Sequence, residues 1–526
     1  MASRLNFGNS LTIDECDSDR KVFKRRFSNE LLNIHRPKKT MEDLADLDDE
    51  VVSALKQAAA SSKDSLNPLL HVAATLVDKD PVCASTGLAK ALRELSSTIP
   101  PPDDPSTWLS VRLRDFRPIY ATIPYKESVL DGLVMKCDEF AGIHLLPTKR
   151  LHPQAWNFRK CDDANLSIFG AGQCHIDGIK FLLGHLKNDL GFGTVKWFNM
   201  REEPVVFLNG QACSPRLEGR LNENVEYLVG IEGYELDSME QRLCSDCVDA
   251  ANCNESKTIG VFYQTKGGGN EERQLSTKPG KTFSIRKGYE WLAEQDGVPT
   301  VEYYRIPISD ETAPEEKDFD QLIAELKGCL GKPGVALVFN CQMGRGRTTT
   351  GMVSACIMSK AAKRTSKLDE SSGKKTVRPS FMQQCRTMRE NKIGTRNSSA
   401  ERRNKKRGEF LSILHLMDMI DCTCVCTGRQ AKDLADECID SCAHIQNMVE
   451  AIDACGTKAE TAEIGSERSA EFWHSRAHNY LERYAYIILF AAYALENAKS
   501  GFRMNFTEWS HQHWHFKRVI KHLTLD

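Results

Sequence analysis

GVALVFNCQMGRGRTTTGMV, residues 334–353, is the stretch on which the fold and the chemistry of this chain turn. Val335 to Phe339 is an unbroken apolar run, the pattern of a strand buried on both faces of an α/β sheet. The loop Cys341 to Arg347 follows, and Thr348, Thr349 and Thr350 then open a helical pattern. A strand–loop–helix of this kind aims the backbone N–H groups of Gln342, Met343, Gly344, Arg345 and Gly346 at one point, which is how proteins hold phosphate. A thiol placed there sits in a positive field and should ionise readily. By itself a cysteine with arginine six positions on is weak: with 19 cysteines, about one such match is expected by chance. The buried strand before it, Gly344 and Gly346 inside it and the hydroxyl of Thr348 after it supply the specificity.

Breaking a phosphate ester through a cysteine needs an acid to protonate the leaving oxygen, carried on a loop able to cover the site. RIPISDETAPEEKDFD, residues 305–320, follows a strand pattern and offers Asp310 directly past it; Asp318 and Asp320 suit the cap of the next helix. WFNMREEPVVFLNG, residues 197–210, places Arg201, Glu202 and Glu203 between two apolar strands. There Arg201 either binds phosphate or pairs with one of its acidic neighbours.

The chain of 526 residues is too long for one ordinary core. A net charge of −2 gives no reason to expect nucleic acid, and the apolar run Tyr484 to Leu495 is too short to span a bilayer. MASRLNFGNSLTIDECDSDRK lacks the apolar core of a signal peptide, so the expected compartment is the cytoplasm, with thiols reduced. Cys244 and Cys247 form C-x-x-C near Cys253, and CTCVC (422–426) precedes Cys438 and Cys442, but neither set has zinc-finger spacing, and no metal or other cofactor is expected.

Residues 1–150 read as a helical extension with an irregular start, broken at IPPPDDPS (99–106). From about 165, strands alternate with helical patterns, implying a mainly parallel sheet flanked by helices, with the cysteine loop at its C-terminal edge. This α/β unit covers 151–360. A basic, polar insertion with a short helix near 380–390 covers 361–408, and an all-helical part covers 409–526.

GAGQCHIDGIK (170–180), WFNMREEPVVFLNG, RIPISDETAPEEKDFD, FNCQMGRGRTTTGMV and NYLERYAYIILFAAYALEN (479–497) together resemble the paladin family, within the cysteine-dependent phosphatases that include the tyrosine-phosphatase-like phytases. The resemblance implies a tyrosine-phosphatase-like α/β fold with an added C-terminal helical region, and a phosphorylated protein or inositol phosphate as substrate. Members usually carry the unit in tandem; one intact signature is visible here. By the same resemblance Cys341 is the nucleophile, Arg347 clamps two phosphate oxygens, and the N–H groups of 342–347 cradle the rest. Thr348 donates to the Cys341 sulfur, and Asp310 is acid and then base. Arg345 adds a second cation suited to densely charged substrates. Asn340 stands where many such enzymes have histidine, and an inactive, phosphate-binding scaffold is the alternative. Oligomeric state is not encoded in these patterns.

Overall fold

The structure is a computed structural model that describes residues 129–130, 132–139, 151–225, 231–265, 267–278, 280–310, 312–368, 408–462 and 469–525. The expected helices of 41–98, the break at 99–106, the helix near 380–390 and most of the basic stretch lie outside the described residues. All elements named below belong to one compact unit, Ser128–Glu226 with Glu232–Asp526.

The signature strand, β11 (Val335–Asn340), is central in a five-stranded sheet of order β10–β4–β11–β3–β2. Its neighbours β4 (Thr194–Arg201) and β3 (Ile168–Ala171) are both parallel to it, and β10 (Thr300–Ile308) is parallel to β4. Only the edge strand β2 (Arg159–Lys160) is antiparallel. This is the parallel sheet the sequence predicts, and its inner strands are buried along nearly their whole length. One face is covered by α1 (Ile176–Asn188) and α3 (Ile285–Ala293), whose Ile179, Leu182, Leu183, Ile285 and Leu292 pack on Trp197 and Val338. Against the other lie α4 (Glu316–Leu326), α5 (Gly346–Leu368) and the C-terminal helices.

Those C-terminal helices are α6 (Leu411–Thr423), α7 (Gly428–Cys442), α8 (Met448–Thr461), α9 (Ala470–Asn497), α10 (Phe506–Gln512) and α11 (His515–Lys521). The longest, α9, carries the apolar run read above and buries Tyr484, Ala485 and Ile487 to Ala494 in the same core. No described helix is long and apolar enough to cross a membrane.

Beside the parallel sheet stands a second, six-stranded sheet of order β8–β7–β1–β6–β5–β9, antiparallel except for the β1/β7 pair. Its strands are β1 (Val134–Cys137), β5 (Val206–Leu208), β6 (Gln211–Arg216), β7 (Thr258–Gln264), β8 (Asn270–Ser276) and β9 (Phe283–Ser284). The helix α2 (Gly233–Asn252) packs on it through Leu236, Met239 and Leu243. The sequence expectation of one mainly parallel sheet holds for the first sheet and misses this one. Three boundaries also move. Strand β1 lies within the stretch read as an N-terminal extension, and α5 runs on to Leu368, past the expected start of the insertion. Helix α4 begins at Glu316, ahead of the Asp318 and Asp320 read as its cap, because Glu315 and Asp318 form a reciprocal capping box there.

Candidate functional site: a phosphate loop with a paired arginine

Strand β11 ends at Asn340, the loop follows, and α5 begins at Gly346. The loop turns sharply at Gly344, whose φ is +74°. A side chain there would also collide with β3, since its Cβ would lie 2.6 Å from the Gly172 nitrogen. Gln173 N–H donates to the Gln342 carbonyl (2.9 Å) and Asn157 Nδ2 to the Met343 carbonyl (2.8 Å), so loop carbonyls face outward from the turn. Among the described residues, no protein acceptor takes the N–H groups of Gln342, Met343, Gly344 or Arg345. Such a set of unpaired N–H groups at a helix start is an anion-binding concavity.

Cys341 is buried, 4% exposed, at the start of that concavity. Asn340 is held on both sides: its Oδ1 accepts from Trp197 Nε1 (2.9 Å) and its Nδ2 donates to Gln173 Oε1 (3.3 Å). The residue standing in the usual histidine position is therefore ordered by neighbouring side chains. Thr348 departs from expectation. Its hydroxyl donates to the Ala171 carbonyl at the end of β3 (3.3 Å) rather than to the Cys341 sulfur.

Arg347 is buried and placed by two carboxylates. Its Nη1 donates to Glu203 Oε1 (2.7 Å) and to the Ile308 carbonyl (3.2 Å), and its Nη2 lies 3.2 Å from Asp310 Oδ1. Burial works against its charge, but Asp310, Glu203 and the Cys341 sulfur outweigh that and raise its pKa further. Burial likewise opposes ionisation of Glu203, yet Arg347 and then Arg201 overcome it and bring its pKa down to about 2. The Nε–H groups of Arg347 and Arg345 are buried with no acceptor among the described residues. A buried cationic N–H costs free energy unless an acceptor reaches it, and an anion in the loop would supply one.

Asp310 lies just past β10, is 44% exposed on its side chain, and is fixed by Asn224, whose Nδ2 donates to it (2.9 Å) and to Glu203 (3.1 Å). Its loop is tied from the far side: Arg483 of α9 donates through Nε and Nη2 to the Thr312 carbonyl (3.0 and 2.6 Å). Glu203, the Ile308 carbonyl and Asp310 thus converge on the guanidinium of Arg347, six residues past Cys341.

The acidic pair after β4 has a defined use. Arg201 is fully buried, with Nη1 2.5 Å from Asp138 Oδ2 and Nε 3.2 Å from Glu203 Oε2. Pairing with an acidic neighbour, one of the two readings of Arg201, is present, and the Nη2 of Arg201 is buried with no acceptor among the described residues. Glu202 instead accepts from the Ser309 hydroxyl (3.0 Å). Asp138, just after β1, is a second hub: Ser214 Oγ (3.0 Å) and Gln342 Nε2 (3.2 Å) donate to its Oδ1, and Arg216 lies 3.7 Å away. Burial raises its pKa, but Arg201 and Arg216 dominate and hold it below the usual carboxylate range. Next to it Lys136 of β1 donates to Asn222 Oδ1 (2.6 Å); burial, then Arg216, lower its pKa to about 8. Behind the loop, Arg159 donates through Nη2 to Thr349 Oγ1 (3.0 Å).

Asn224, Asp138, Lys136, Arg216 and Arg483 escaped sequence reading, as did the pairing of Glu203 with Arg347. For Glu203 a signal existed, since an R-E-E run between buried strands demands partners for each charge; for the others the pairing is made only by the fold.

Comparison with known proteins yields a family model, the tyrosine-phosphatase-like phytase family described as inositol hexakisphosphate, over residues 198–359. The chain is 26% identical to chicken paladin over 381 residues, 68% of this chain and 38% of that protein. It is 26% identical to human paladin over 371 residues, 67% of this chain and 39% of that protein. The matches thus span about two-fifths of the paladins' length. Among solved structures, the tandemly repeated phytase of Mitsuokella multacida matches with TM-score 0.41 and 14% identity over 88% of this chain and 69% of that one. A myo-inositol phosphatase of the same organism, solved with myo-inositol-(1,3,4,5)-tetrakisphosphate, matches with TM-score 0.42 and 14% identity over the same shares.

Proposed function

We propose that this chain, a relative of the paladins with a tyrosine-phosphatase-like phytase domain, is a cysteine-dependent phosphomonoester hydrolase, most active on densely phosphorylated small molecules such as inositol phosphates. The observation that carries the proposal is the loop itself: unpaired N–H groups at the start of α5, the Cys341 thiol at their edge, and Arg347 with a buried, unsatisfied Nε–H.

In the proposed reaction the Cys341 thiolate attacks phosphorus while Asp310, protonated, gives its proton to the departing oxygen. The P–O bond breaks as the S–P bond forms. Arg347 and the N–H groups of Gln342 to Arg347 take up charge on the transferring oxygens. Water then attacks the cysteinyl-phosphate with Asp310 as base, releasing phosphate and the thiolate. Glu203 holds Arg347 in register throughout, and a planar guanidinium suits that double duty where an ammonium does not. Arg345 is in the loop, Arg216 stands beside the Asp138 that binds Gln342, and Lys136 is two residues from Asp138, which favours substrates with several phosphates over a single phosphotyrosine. No protein side chain is required as a metal ligand for any of these steps.

A second reading keeps the binding and drops the turnover: Asp310 is engaged by Arg347 and Asn224, as in a scaffold for phosphorylated partners. Phosphate release from inositol hexakisphosphate, phosphoinositides and phosphotyrosine peptides, with Cys341→Ser as control, separates the two. Release by the wild type alone supports the hydrolase. Binding without release from any substrate supports the scaffold.

A further inference from the structure

On the face of the second sheet turned away from Asp138, two cysteines stand opposite each other. Cys137 of β1 is registered with Cys213 of β6, and the next pair, Asp138 and Ala212, is joined by an N–H···O bond of 2.9 Å. Bonded and non-bonded pairs alternate along an antiparallel ladder, so Cys137 and Cys213 form a non-bonded pair, with Cα atoms about 4.5 Å apart and side chains on one face. That separation lies at the short end of the range a disulfide spans. Both thiols are free and buried.

His175 stands beside them, its Nε2 3.7 Å from the Cys137 sulfur. Its Nδ1 accepts the Ala212 N–H (3.0 Å), which places the proton of the neutral ring on Nε2, facing the sulfur. The same tautomer argues against a metal at Cys137, Glu139 and His175, although their ligand atoms lie within 4.8 Å of one another, because the ring's lone pair is already used. The neighbouring Cys213 thiol, followed by His175, outweighs burial and lowers the Cys137 pKa to about 6, while burial raises that of Cys213. One thiol of the pair is thus the better nucleophile and the other the resolving partner.

We infer that Cys137 and Cys213 form a reversible disulfide, and that its state is transmitted to the phosphate loop through Asp138 and Ser214. A peroxide is the oxidant. The Cys137 thiolate attacks one peroxide oxygen, the O–O bond breaks, and hydroxide leaves to become water, giving a sulfenic acid. Cys213 sulfur then displaces the second hydroxide as its proton is lost, forming S–S and a second water. Two thiols and one peroxide become one disulfide and two waters. Cys137 is the last residue of β1 and the exposed Glu139 lies two positions on, so opening of the ladder end admits the oxidant.

Transmission follows from the chain. Asp138 and Ser214 each directly follow one of the cysteines, bond to each other, and point to the other face, where Asp138 also binds Arg201 and Gln342. Closing a disulfide at a pair this close forces the strands to spread or twist, and the Asp138 hub moves with them. The expected result is weaker phosphate binding in the oxidised state. The coupling rests on the phosphate-binding reading above; the disulfide does not.

The test uses full-length Cys341→Ser, so that oxidation of the proposed nucleophile plays no part. Hydrogen peroxide is added in steps, free thiols are alkylated, and peptides are mapped by mass, before and after dithiothreitol. Binding of inorganic phosphate is measured on reduced and oxidised protein. The expected outcome is a 137–213 linkage that dithiothreitol reverses, with phosphate affinity lowered about five-fold or more on oxidation, the low end of usual site–site coupling. The additional change Cys213→Ala should abolish both effects. Any other product at Cys137, or none while the protein stays folded, overturns the disulfide. A disulfide with unchanged phosphate affinity overturns the coupling. Absence of phosphate binding by the reduced protein overturns the functional proposal and with it the coupling, while the mapping still decides the disulfide.

Discussion

Glu203 and Arg347 form a buried ion pair, Oε1 to Nη1 at 2.7 Å, between the end of β4 and the start of α5. It joins two segments 144 residues apart and fixes the guanidinium before any phosphate arrives. The first expectation concerns its geometry. Arg347→Lys keeps the charge but cannot serve Glu203, the Ile308 carbonyl and Asp310 together. Phosphate binding and kcat/KM should collapse while the protein remains folded. Arg347→Ala should lower stability by about 1–3 kcal/mol, because Glu203 Oε1 loses its charged donor and keeps only Asn224, while Arg201 still pairs with Oε2. Denaturant midpoints and phosphate release on both variants check this.

The pair also sets a pH dependence. Glu203 titrates at about 2 in the folded protein against 4.5 for the free side chain. A carboxyl whose folded value is depressed stabilises in full above the unfolded value and loses that contribution as pH falls through the folded one. Stability should therefore decline between about pH 4.5 and pH 2, by a few kcal/mol. Glu203→Gln should be less stable at neutral pH and flatter across that window. Urea midpoints measured against pH give the comparison.

How much of this was legible beforehand follows from where each signal lies. Strand β11 and its loop announce themselves locally, through an apolar run and a fixed spacing. Asp310, expected as the acid because it ends a strand pattern, lies 3.2 Å from Arg347. The second sheet was not legible, for β8 reads NEERQLS with mostly exposed residues and gives no alternation. Asp138 fell in a stretch read as a helical extension, since one short strand cannot be told from irregular chain until β6 pairs with it. Arg483 sits inside an apolar helix, and nothing local says that it reaches the Thr312 carbonyl.

Lys136 offers a test of substrate class. Its pKa is lowered to about 8, so in the free protein it loses its charge as pH rises through that value. For an inositol polyphosphate, kcat/KM should fall above pH 8, because that ratio reports groups of the free enzyme. Lys136→Met should lower the plateau and remove this limb, while a monophosphate substrate shows little of either effect. An unchanged limb in the variant would assign it to another group.

Arg483 holds the segment after Asp310 through the Thr312 carbonyl. Arg483→Met should lower kcat by up to about a hundred-fold through misplacement of Asp310, with KM changed much less. Arg483→Lys should recover part of the loss, and the pH–rate limb assigned to the acid should shift in the methionine variant. Equal effects on kcat and stability would point to packing alone.

Gly344→Ala tests the loop turn. Its φ of +74° and the 2.6 Å approach of a new Cβ to the Gly172 nitrogen leave the side chain no room. Activity should be lost with a stability change confined to about 1–3 kcal/mol, the usual range for strain at one position. Calorimetry and phosphate release check both halves.

The central claim is that Cys341 carries the phosphoryl group. Rapid acid quenching of wild-type protein with inositol hexakisphosphate, followed by intact-mass and peptide mapping, tests it directly. One phosphoryl adduct on Cys341, absent in Cys341→Ser, is the result expected. Steady release of phosphate with no adduct on Cys341, or release undiminished in Cys341→Ser, would contradict the account.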